Sequence, residues 1–178
     1  ILWHILNLMN NIIVKKTKNK NIGFLIFKER KILCYVGKNG IGNKKREGDL
    51  ITPKGIFRMR KVFYRYDKIG DIKSKVPKKR IEKKYTWITD SKNKDYNKFS
   101  SKKLKCFDEN MYRDDSLYDL VITLDFNINP VRKFKGSAIF IHCSEKGRKF
   151  TEGCIAVNKK DLIDIVSFIS PFSFLKIY

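Results

Sequence analysis

The sequence predicts a mainly β fold, β-rich with one or two short helices, on three observations. Short runs of β-branched and aromatic residues recur through the opening of the chain, set apart by clusters of Lys, Asn and Gly. Two later apolar runs, 118–124 and 136–141, have strand length and no helical spacing. One stretch alone, after Asn158, spaces its apolar residues like one face of a helix.

Taken in order, Ile12 to Val14, Gly23 to Phe27 and Lys31 to Val36 read as an antiparallel meander. Cys34 lies inside the third run and reads as a buried structural thiol. Residues 37–49 form a glycine-punctuated loop without the G-K-[ST] ending of a phosphate cradle. From Thr52, Pro53 fixes a turn and Gly55 eases the chain into a strand whose Phe57 and Met59 alternate with Arg58 and Arg60. Residues 66–116 carry much of the polar and charged content; fifty residues of pure loop would be unusual, so they read as a substrate-side insertion with local turns of helix or strand. Within it Trp87, Tyr96 and Asn97 could line a cleft, although anchoring the long loop to the core is the plainer role. Tyr118 to Leu124 and Gly136 to Ile141 read as buried strands joined through a turn at Asn127 to Pro130. The small residues Gly136, Ser137 and Ala138 would let a backbone or ligand approach closely. Asn158 is the expected N-cap of a helix with Leu162, Ile165, Val166 and Ile169 on one face, Pro171 stops it, and Phe174 to Tyr178 reads as a last strand.

At 178 residues the chain suits one core and not two. Residues 12–178 are read as a single domain, and 1–11 as an N-terminal extension that need not be native. That extension is apolar but lacks a basic leader and a small-residue cleavage site, and is too short to span a bilayer. No transmembrane segment or signal peptide is visible.

Forty Lys+Arg against eighteen Asp+Glu give a formal charge of +22, which attracts polyanions. The excess is broad, Ala occurs only at 138 and 156, and Gln is absent, as an AT-rich coding sequence would produce. With no compact basic helix or RNP-like aromatic pattern, a specific nucleic-acid partner is not indicated. The four cysteines, at 34, 106, 143 and 154, include no C-x-x-C pair, so neither a zinc ribbon nor a dense disulfide scaffold is expected.

The chemistry concentrates between Ile139 and Val157. One of two histidines, His142, is followed twelve positions later by Cys154, itself preceded by Gly153. A thiol is a nucleophile only as thiolate, with an ordinary pKa of roughly 8.5, and needs a base or a positive field. If Ile139 to Ile141 and Ile155 to Val157 are adjacent strands, His142 and Cys154 face one cleft end, and N–H groups near 153 and 154 could meet an oxyanion. A metal site of His142, Cys143 and Cys154 is weaker, because no fourth ligand is evident and 142 and 143 on a strand point to opposite faces. No cofactor or metal is expected. A papain-type peptidase is disfavoured because its cysteine precedes its histidine.

The ordered set Gly40 to Gly42, Glu47 to Asp49, Thr52 to Phe57, Trp87 with Asp90, Tyr96 with Asn97, Gly136 to His142 and Thr151 to Cys154 resembles the YkuD-type L,D-transpeptidase catalytic domain over about residues 12–175. The resemblance is stronger to a branch with a Thr-x-Gly-Cys motif. It implies a β-sandwich catalytic domain, acyl transfer on peptidoglycan stem peptides through a thioester, and a place in the cell envelope or periplasm, with the cytoplasm left open by the missing signal; a monomer is expected. By position Cys154 is the nucleophile, His142 the base and Gly153 the flexible residue before the nucleophile. The Cys143 carbonyl would orient the imidazole, and Thr151 opens the cysteine motif. Ser137, Trp87, Tyr96 and Asn97 would shape the site or bind substrate. The commoner form of the motif has His and Arg where this chain has Glu152 and Ala156. An L,D-carboxypeptidase using the same dyad, or a non-catalytic basic binding protein, are the alternatives.

Overall fold

The computed structural model describes residues 11–102 and 108–178. Residues 1–10, which hold nearly all of the expected extension, and Cys106 lie outside them. The strands in chain order are β1 (Asn11–Lys16), β2 (Ile22–Phe27), β3 (Arg30–Tyr35), β4 (Ile41–Gly42), β5 (Thr52–Pro53), β6 (Gly55–Tyr64), β7 (Lys78–Arg80), β8 (Thr86–Trp87), β9 (Phe99–Ser100), β10 (Glu109–Asn110), β11 (Leu120–Leu124), β12 (Phe140–Cys143), β13 (Ile155–Val157) and β14 (Phe174–Ile177). Among the described residues two helices accompany them, α1 (Tyr66–Ile69) and α2 (Lys159–Phe168).

The mainly β expectation is met. The main sheet runs β11-β12-β13-β3-β2-β1-β14-β6-β7, and a further pairing of β11 with β6 joins its ends, so eight strands form a closed circuit of hydrogen bonds with β7 appended. β1, β2 and β3 are the expected antiparallel meander.

Side chains along the strands sort by the two-residue period. On β6, β11 and β12, Val62, Leu120, Ile122, Ile141 and Cys143 enter the principal core. Their neighbours Phe63, Val121 and Phe140 point the other way, into a second cluster with Tyr85, Trp87, Met111 and Tyr118. The 66–116 segment supplies Ile81, Tyr85, Trp87 and Met111 to that second cluster; within it β8, β9 and β10 pair as a small sheet, β10-β8-β9, while β7 joins the main sheet beside β6.

α2 closes one end of the principal core. Asn158 caps it by accepting the Lys160 N–H at 2.9 Å, and Leu162, Ile165, Val166 and Ile169 are buried, each contributing about 1.5–3 kcal/mol of hydrophobic stabilisation. Asp119, buried beside it, takes Lys159 at 2.6 Å and Lys68 of α1 at 3.1 Å, tying both helices to the start of β11.

The strand expected over 136–141 is displaced: β12 begins only at Phe140. Gly136 and Ala138 have φ of +107° and +51°, and their N–H groups go to the Tyr96 hydroxyl at 3.0 Å and the Asn97 side-chain oxygen at 3.0 Å. Side-chain acceptors replace a strand ladder there.

Candidate active site

β12 and β13 are adjacent, as expected, and they are parallel, with Ile141 opposite Ile155 and His142 opposite Ala156. Cys154, one residue before β13, thus comes level with Phe140, one residue before Ile141. Being in register, 140, 142, 154 and 156 share one face of the sheet, and His142, Cys154 and Ala156 line a cavity of ≈ 840 Å³. That volume suits a small-molecule or peptide ligand. The 144–154 segment that connects the two strands forms part of its rim, held at Thr151 by a parallel bridge to Gly37.

The Cys154 thiol donates to the Ala138 carbonyl at 3.1 Å and its sulfur accepts the Phe140 N–H at 3.3 Å. Burial pushes this thiol up to about 12, the Phe140 N–H and Lys44 acting against burial and Glu109 and Glu152 with it. His142 is 6% exposed. Burial drives it down to about 4, and the hydrogen bond to the Cys143 carbonyl opposes that shift. The resting pair is a neutral thiol and a neutral imidazole.

The turn before the nucleophile is fixed by two threonines. Thr151 Oγ1 accepts the Gly153 N–H at 3.1 Å and donates to the Cys154 carbonyl at 2.6 Å. Thr52 Oγ1 donates to the same carbonyl at 3.2 Å while accepting the Gly37 N–H at 2.8 Å. Gly153 has φ +142°, and a Cβ on it would lie 3.1 Å from the Ile51 carbonyl oxygen and 3.1 Å from Ile139 Cδ1. Glycine is required there for conformation and for space. Because its N–H is taken by Thr151, Gly153 does not supply one of the N–H groups expected near 153 and 154 to meet an oxyanion.

The other sequence-selected residues divide by position. Thr151 and Ser137 line the cavity. Cys143 sits on the opposite face in the principal core, its thiol pushed up to about 12 by burial. Trp87, Tyr96 and Asn97 are not among the residues that line the cavity. Asn97 takes the Trp87 Nε1–H at 2.9 Å and gives its amide to the carbonyls of Phe126 at 3.0 Å and Asn127 at 2.7 Å. Trp87 packs edge-on against Phe140, ring centres 5.0 Å apart. The Tyr96 hydroxyl donates to Glu47, burial first and then Glu47 pushing it up to about 12, and Ser137 Oγ donates to the same carboxylate at 2.7 Å.

Sequence reasoning missed several cavity residues. Tyr118 packs edge-on against His142, centroids 5.5 Å apart. Glu109 and Arg113 reach in from the insertion; Arg113 pairs with Glu109 at 3.1 Å and with Asp115 at 2.6 Å. Lys44 comes from the 37–49 loop, where charged residues between glycines beside a Thr-Pro turn were the available signal; Glu47, within the Glu47 to Asp49 motif, lines the cavity beside it. Among the described residues no group of three His, Cys, Asp or Glu is placed to hold a metal ion. No helix among them is long and apolar enough to cross a membrane.

The described residues form a mainly β domain whose paired parallel strands bring a thiol and an imidazole to one cavity face. The particular family follows from comparison: the model of the YkuD family, the L,D-transpeptidase catalytic domain, matches residues 10–177, and the chain belongs to it. Members of that family are enzymes that act on peptidoglycan. Among solved structures, the one titled "Structure of Bdellovibrio bacteriovorus Bd1075" is similar at 12% identity with a TM-score of 0.46, covering 96% of this chain and 49% of that one. This chain thus spans about half the length of that protein. Curated proteins give no match.

Proposed function

We propose that the protein is a cysteine acyltransferase of the L,D-transpeptidase type, acting on peptidoglycan stem peptides in the cell envelope through a thioester on Cys154. The observation that supports this reading best is the sharing of one cavity face by Cys154 and His142, with the imidazole oriented by the Cys143 carbonyl. The Cys154 side chain turns from Ala138 toward His142, and Nε2 takes the thiol proton as sulfur attacks the stem-peptide carbonyl. The Cys154 N–H meets the oxyanion. Collapse breaks the C–N bond, the departing D-residue amine takes the proton back from Nε2, and the thioester passes its acyl group to an amine or to water. The net positive charge favours approach to anionic wall polymers.

The decisive experiment incubates the purified protein with tetrapeptide muropeptides and follows them by mass spectrometry. Loss of the terminal D-residue and an acyl adduct on Cys154 are expected. Transfer to an amine marks a transpeptidase, and release by water marks a carboxypeptidase. Neither adduct nor turnover, with Cys154→Ala indistinguishable from the parent, would sink the reading.

A further inference from the structure

Lys44 runs through a slot between the two glycines that flank the site. A Cβ on Gly136 would lie 2.4 Å from Lys44 Cε and 3.0 Å from its Cδ, and one on Gly153 would lie 3.6 Å from Lys44 Nζ. Both glycines have φ in the range that disfavours side chains, so the lysine stem occupies room that neither residue fills. The Lys44 side chain is only 2% exposed. Its ammonium ends on Asp49 Oδ1 at 2.6 Å and the Ile51 carbonyl at 3.4 Å. That same carbonyl borders Gly153, so the charge sits directly behind the turn that carries Cys154.

Burying an ammonium is costly, and its partner does not cancel it evenly. The Asp49 carboxylate also accepts backbone N–H groups from Lys45 at 2.8 Å, Arg46 at 3.2 Å and Ile51 at 3.1 Å, which spread its negative charge into the loop. Burial alone would raise Asp49; the Lys44 bond and these donors bring it below the ordinary carboxylate value. What remains is a dipole whose positive end faces Gly153. Ala156, on the strand, supplies no charge of its own.

We propose that Lys44, threaded between Gly136 and Gly153 and anchored by Asp49, is a positioning residue that holds positive charge behind Cys154 and stabilises the sulfur anion formed as its proton leaves. This rests on the thiol-transfer reading above. The S–H bond breaks, the proton goes to His142 Nε2, the electron pair stays on sulfur, and Lys44 forms no bond in the step. Other charged or titratable groups face the thiol as well. Among those lining the same cavity are His142 on β12, Tyr118 two residues before β11, Glu109 and Arg113 from the 66–116 segment, Glu145, Arg148, Lys149 and Glu152 from the 144–154 connection, and Glu47 beside Lys44 and Asp49.

The test is the rate at which iodoacetamide alkylates Cys154 in the intact chain, resolved from the other cysteines by peptide mass spectrometry and followed from about pH 6 to 11. Lys44→Met keeps the stem and removes the charge; Asp49→Asn keeps the charge and removes its counterion. The first shifts the pH profile upward by about one pH unit, slowing alkylation at pH 8 about tenfold, and the second shifts it downward and speeds alkylation several-fold. A packing role would move both variants the same way. Shifts in one direction, or an unmoved profile in folded Lys44→Met, overturn the proposal. Should Lys44→Met fail to fold by circular dichroism, an unmoved or upward profile in Asp49→Asn does so. Alkylation needs no substrate, so profiles that part as expected in a protein without muropeptide turnover defeat the acyl-transfer reading alone. Turnover with unmoved profiles defeats this one alone.

Discussion

His142 Nδ1 lies 2.8 Å from the carbonyl oxygen of Cys143, its own neighbour on β12. A carbonyl only accepts, so Nδ1 carries the proton and the lone pair is left on Nε2, the tautomer a general base needs. With imidazole held low, at about 4, and thiol held high, at about 12, the pair is neutral across the physiological range. Muropeptide acylation should therefore stay level through neutral pH and fall only as His142 protonates near pH 4. A normal solvent deuterium isotope effect on acylation should accompany proton transfer in the rate-determining step. An activity drop centred near the ordinary histidine value of about 6.5 would contradict it.

The same burial makes His142 an acid-sensitive part of the fold. Its folded-state pKa is depressed from 6.5 to about 4, so between those values the unfolded chain binds a proton that the folded chain does not. Stability is fully present above pH 6.5 and declines as pH falls toward 4, by on the order of 3 kcal/mol from this residue. Urea denaturation midpoints at pH 7 and pH 4.5, compared between the parent and His142→Gln, should show a smaller acid loss in the variant.

Thr151→Val keeps the shape of the turn but removes the acceptor for Gly153 N–H and one of two donors to the Cys154 carbonyl. The expected cost is about 1–2 kcal/mol, seen as a lower thermal midpoint, with kcat for acylation down about tenfold because the nucleophile is no longer held. Unchanged acylation in the folded variant would show that Thr52 alone fixes the turn.

Asn97→Ala strands buried donors of Trp87 and Ala138 and two carbonyl acceptors at once. A loss of about 2–4 kcal/mol in chemical denaturation is expected, larger than for any cavity-lining variant. Since Asn97 does not line the cavity, KM of the folded fraction should move less than stability does.

Much of this was legible in the residues because it depends on local pattern. The β1 to β3 meander, the α2 face and its Asn158 cap follow from period and capping chemistry, and the opposite faces of His142 and Cys143 follow from strand pleating. What could not be read depends on contacts across the chain. The parallel sense of β12 and β13 rests on the path of the 144–154 connection. The late start of β12 rests on Tyr96 and Asn97 reaching some forty positions forward for the N–H groups of Gly136 and Ala138. Lys44 drew no notice in a chain crowded with lysines, because only the fold reveals which one is enclosed.

The second cluster, where Phe63, Val121 and Phe140 meet the aromatics of the 66–116 insertion, gives the cavity walls of unlike origin. The imidazole rides on the hydrogen-bonded circuit and the thiol sits one residue before its strand β13, whereas Thr89, Glu109 and Arg113, which line the same cavity, belong to the 66–116 segment. On the proposed function, exchanging residues 82–116 between homologous domains should change which stem peptides are taken while leaving the spacing of Cys154 and His142 untouched.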